Sequence, residues 1–83
     1  MEAAVLRAFE EAVVALGRQD PGLALSILAA LAPTTPGLGP VFDAVVVAAA
    51  ELESEGNIPE ATWNALADAL PAEVRGEVEA ARG

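Results

Sequence analysis

A chain of 83 residues with 54% hydrophobic residues and a formal net charge of -9 is long enough for one small core and too apolar for a disordered tail. It contains no Cys and no His, so neither disulfides nor zinc can brace it, and packing must supply its stability. With Lys and Tyr missing as well, the usual acids, bases and nucleophiles of enzymes are gone, and the chain reads as a non-enzyme for which no cofactor is implied.

The acidic balance opposes a phosphate backbone and disfavours direct nucleic-acid binding. The longest apolar run, Ala44 to Ala50, falls far short of the roughly 18 residues a membrane span requires, so no membrane role is expected. The opening MEAAVLRAFEEAVV carries acids and lacks the basic start of a secretory signal, which predicts a cytoplasmic protein. Charge is uneven along the chain: residues 1–41 hold four acids against two Arg, and residues 42–83 hold nine acids against two Arg.

Helix one is predicted over about 2–17, where Val5, Phe9, Ala12, Val13 and Leu16 recur at three- and four-residue steps. Gly17 is read as its left-handed stop, with Arg18 complementing the negative end of the helix. Asp20 followed by Pro21 is a helix start, because the carboxylate accepts from free amides and Pro at the first position gives up no needed donor. Helix two should then run over 21–32. Its apolar residues, Leu23, Leu25, Ile27, Leu28 and Leu31 among them, cover more than one face and predict burial on two sides.

The stretch PTTPGLGP, residues 33–40, excludes a helix and is expected to cross the end of the molecule. Helix three, about 41–55, is apolar nearly all round until Glu51 and is predicted to be the central helix. Gly56 ends it and Pro59 opens helix four over 59–70, with a stripe of Trp63, Leu66, Ala67 and Leu70. After Pro71, helix five over 72–82 carries only Val74, Val78 and Ala81 between acids, and should be the least stable element.

FEEAVVAL at residues 9–16 echoes FDAVVVAA at residues 42–49, and a Pro-initiated helix follows each. The expected fold is therefore all-α: a small single-domain bundle of four to five short helices, as two helical hairpins plus a C-terminal helix.

The most specific local pattern is ELESEGNIPEATW, residues 51–63, which resembles a degenerate EF-hand loop. Acids stand at its first, third and fifth positions, followed by Gly56, with Ile58 two later and Trp63 where that family's exiting helix begins. The resemblance implies Glu51, Glu53 and Glu55 as cation ligands. Glu51 in place of Asp, and Thr62 in place of the closing bidentate Glu, imply poor affinity. Within the same stretch, GNIPEA resembles the junction between the two helices of a tetratricopeptide unit, in keeping with helical hairpins.

The function expected from these features is a non-catalytic protein–protein interaction module, either a homo-oligomer or a docking subunit, since helices two and three have more apolar surface than five short helices can cover. The three aromatics, Phe9, Phe42 and Trp63, are expected in the core; if one is an interface anchor instead it is Trp63, with Glu51, Glu55 and Glu60 as the interaction residues beside it. An acidic inhibitor or antitoxin-like protein that occupies a basic target surface is the alternative, and the cation site is a further one.

Overall fold

Proline, glycine and aspartate divide the chain into five helices in the computed structural model, which describes residues 2–83. They are α1 (Ala3–Gly17), α2 (Pro21–Leu31), α3 (Gly39–Glu55), α4 (Glu60–Ala69) and α5 (Arg75–Arg82), the last preceded by a 3-10 turn at Ala72–Val74. No strand occurs among the described residues. α1 pairs with α2 and α3 with α4 as two hairpins, α2 packs on α3, and α5 lies against both α1 and α4, so the helices close into a ring. The all-α bundle of two hairpins and a C-terminal helix is the predicted fold.

The helix ends show the local chemistry at work. Asp20 Oδ1 accepts from the Leu23 amide at 3.2 Å, and Pro21 occupies the first turn, where its missing donor leaves nothing unpaired. Gly56 closes α3 in the left-handed conformation, φ 79°, its amide donating to the Leu52 carbonyl at 3.0 Å. Pro59 caps α4 from outside rather than forming its first residue: its carbonyl accepts the amides of Thr62 and Trp63 at 3.0 and 3.2 Å. The far end of α4 is closed by Arg75, whose Nε donates to the Ala67 carbonyl at 2.9 Å.

Three local expectations are corrected. Gly17 is not the left-handed stop of α1; that conformation belongs to Gln19, φ 61°. The Gln19 amide donates to the Leu16 carbonyl and the Asp20 amide to that of Ala15, at 3.0 and 2.9 Å, which makes a Schellman ending two residues beyond the glycine. α3 starts at Gly39 instead of residue 41, because Leu38 is already helical and Pro40 is tolerated in a first turn. Residues 72–74 form a 3-10 turn rather than the opening of α5.

The core draws on every helix. Its fully buried side chains include Leu16 and Val13 of α1, Leu28 of α2, Val45 of α3, Leu66 of α4, Val74 of the 3-10 turn and Val78 of α5. Each contributes about 1.5–3 kcal/mol through burial alone. α1, not α3, is the most deeply enclosed helix: Phe9, Ala12, Val13, Ala15 and Leu16 are all buried between α2 on one side and α5 on the other. α3 has α2 and α4 as its main neighbours and leaves Val46 and Val47 43% and 50% exposed. α2 is likewise not buried on two sides, since Leu23 is 50% exposed. Residues Thr35 to Leu38 of the connecting loop run past Phe9, Leu70 and Pro71 across one end of the bundle, bordering a cleft of about 350 Å³.

Candidate functional site

Among the depressions left open by this packing, which include one of about 650 Å³ between the start of α1 and the end of α2, two differ in charge. The first is the groove between α3 and α4. Steps of three and four residues bring Pro40, Ala44 and Val47 of α3 opposite Ala61, Ala65 and Ala69 of α4, around a trough of about 600 Å³. Alanines floor it because small side chains let the two helices approach closely, and they leave room above for something to lie along them. Asp43 and Asp68 stand at one end.

At the other end the Thr62 hydroxyl donates to Glu51 Oε1 at 2.6 Å, a short charge-assisted bond joining the last turns of α3 to the first turn of α4. Thr62 is buried and Glu51 half-buried. α3 and α4 together carry six carboxylates, Asp43, Glu51, Glu53, Glu55, Glu60 and Asp68, and no basic residue occurs between Arg18 and Arg75. Among the described residues a single ion pair reaches this set, Arg82 to Glu60 at 3.7 Å. The groove is thus an apolar strip in a field of one sign.

The second surface is the outer face of α1, where Arg7, Glu11, Val14 and Arg18 follow one another along the helix. Leu23 and Ile27 of α2 flank them, and the depression has a volume of about 600 Å³. Neither Arg7 nor Arg18 forms an ion pair among the described residues, although the chain has 13 acids.

The residues singled out from sequence are scattered by the fold. Trp63 is 8% exposed and belongs to the core. Glu51 is engaged by Thr62, while Glu53 and Glu55 are exposed on the last turn of α3. Glu60 is exposed beside Arg82, whose guanidinium also donates to Asn64 Oδ1 at 2.8 Å and to Glu79 at 3.1 Å.

The EF-hand resemblance fails on backbone grounds. Residues 51–55 are still helical, so Glu53 lies about 200° around the axis from Glu51, whereas a calcium loop wraps its ligands around one point. No group of three acids suited to a metal ion occurs among the described residues.

Sequence reasoning missed Ala44, Val47, Ala61 and Ala65 as groove residues and Arg7 with Arg18 as unpaired cations. Their spacing was visible, but the spacing alone does not say which faces stay uncovered. No helix among the described residues is long and apolar enough to cross a membrane. Comparison with protein-family models, curated proteins and solved structures returned no match, so the geometry of these two surfaces is what bears on function.

Proposed function

We propose that the chain is a non-catalytic protein-interaction module whose α3–α4 groove receives an amphipathic helix with basic flanks from a partner protein. The observation that carries this reading is Val47, 50% exposed over a floor of alanines, between carboxylates that have no cation near them in the sequence. A helix with small or branched apolar residues on one face would cover Val47 and the alanines. Its Lys or Arg residues would meet Asp43, Asp68 and the acids beyond the groove ends, which favours the encounter and its orientation more than the final affinity.

A synthetic 18-residue helix with Leu along one face and Lys along the other tests the reading, with a peptide of the same apolar face carrying Glu in place of Lys as control. Binding is followed by NMR chemical shifts of the full chain. Shifts confined to Ala44, Val47, Ala61 and Ala65, lost on Val47→Asp and on Ala65→Arg, support the groove. Shifts spread over all the acids, or equal binding of the Glu peptide, reject it.

The concentration of six acids on two helices also supports a second reading, an acidic inhibitor that covers a basic surface by charge alone. Salt separates the two. Docking onto the apolar floor persists at high ionic strength, whereas a purely ionic complex is screened away.

A further inference from the structure

The outer face of α1 is complementary to itself, and we infer that it pairs two copies of this chain across a two-fold axis passing near Val14. The argument begins with charge. Arg7 and Arg18 are in no ion pair among the described residues, yet they border one depression together with four acids, Glu10, Glu11, Asp20 and, from α5, Glu77. Two-fold pairing of antiparallel helices places residue i against residue j whenever j lies against i. With the axis at Val14, Arg18 of each copy comes level with Glu10 of the other, each four residues from Val14 in opposite directions, and one residue out of step with Glu11, which is three residues away. Arg7, seven residues from Val14, comes near the level of Asp20, which caps α2 six residues beyond Val14. Each of these guanidiniums, in no ion pair among the described residues of one molecule, thus comes within about one residue's level of an acid of the second.

Packing agrees with the charge pattern. Val14 is half-buried at the centre of the face, and Leu23, 50% exposed, and Ile27 flank it from α2. The two copies would bring these apolar residues together inside a ring of ion pairs, an apolar centre with a polar rim. Glu11 and Arg18 are seven residues apart, about 10 Å along the axis, so the ion pairs sit two turns apart and fix the register. Asp20 can take part without giving up its cap, since only its Oδ1 is used by the Leu23 amide.

The α3–α4 groove offers nothing comparable to a second copy, since its rim carries acids alone and two of them would repel. The dimer thus leaves both grooves free, and it does not depend on the reading given to them.

Sedimentation equilibrium over a hundredfold concentration range tests the pairing on the full chain. The expected result is a reversible dimer in the micromolar range that weakens as salt is raised. Arg18→Glu alone and Glu10→Arg with Glu11→Arg each put like charges across the axis, and each should raise the dissociation constant at least tenfold. Mixing the two variants should restore a dimer containing one of each, because every opposed pair is again unlike. Helicity by circular dichroism confirms that the variants fold. A wild-type monomer at all concentrations overturns the inference, as does a dimer indifferent to both variants. Peptide binding at the α3–α4 groove is read separately on the same samples, so a monomer that still binds peptide rejects only the pairing.

Discussion

Gly17 at the end of α1 lies directly against Ala81 near the end of α5: a Cβ on Gly17 would meet the Ala81 Cβ at 3.0 Å and its Cα at 3.3 Å. The glycine is there for proximity, not for a turn. Gly17→Ala asks α5 to yield by a few tenths of an ångström while gaining up to about 1 kcal/mol of helix propensity, so it should be close to neutral. Gly17→Val cannot be accommodated so cheaply and should cost about 1–3 kcal/mol as an overpacking change. Urea denaturation checks both, and the loss from Gly17→Val should shrink in an Ala81→Gly background if the two residues are coupled.

Gln19 holds the left-handed conformation that ends α1, at φ 61°, where a side chain is disfavoured and glycine is not. Gln19→Gly should therefore stabilise the protein by about 0.5–1 kcal/mol, after allowing for the greater freedom glycine has in the unfolded chain. Thermal unfolding by circular dichroism reads the change. A lower midpoint would mean that Gln19 makes up for its conformation in some other way.

Thr62 and Glu51 tie α4 to α3 through one short hydrogen bond. Thr62→Val keeps the shape and removes the donor, and because Glu51 is only half-buried water can take the place of the hydroxyl. The expected loss is about 1 kcal/mol. Glu51→Gln retains an acceptor and should lose less than Thr62→Val, a ranking that denaturant titration of the two variants establishes.

Calcium should leave the chain unchanged. Residues 51–55 are committed to helix α3, and rebuilding them as a loop around an ion would break the Thr62 bond and the Gly56 cap. Trp63, the single Trp and 8% exposed, reports on that corner: its fluorescence should stay flat up to millimolar calcium, and a saturable change would contradict the helical assignment of Glu53 and Glu55.

Where helices begin and end was largely legible because Pro, Gly and capping Asp act through their nearest neighbours. Asp20 with Pro21, and Gly56, behave as their local chemistry demands. Gly17 misled because glycine answers two different needs, a positive φ or a close neighbour, and the neighbour here is 64 positions away in the chain.

Trp63 sits on the apolar stripe of α4, where an aromatic is expected in the core, and the packing of the helices around it keeps it there, 8% exposed. The echo between residues 9–16 and 42–49 is half real. Ala12 and Val45, Ala15 and Ala48, Leu16 and Ala49 are buried in matching positions, but Val13 is buried while its counterpart Val46 is 43% exposed. Apolar residues mark which faces could be covered, and the neighbours available to each helix determine which of them are.

The closure of the ring by α5 has a consequence for the order of events during synthesis. α1 is made before the other four helices and is the most enclosed of them, yet one of its sides is covered only by the 3-10 turn and α5, which follow the other three. At elongation rates of about 5–20 residues per second, the roughly 65 residues from Gly17 to Arg82 keep that side of α1 bare for about 3–13 s. The α1–α2 hairpin can form early from local contacts, but the native state waits for a contact between opposite ends of the fold. A nascent chain stalled before Arg75 would display the seat of Val78 as an open apolar slot, the form in which this protein would most need a chaperone.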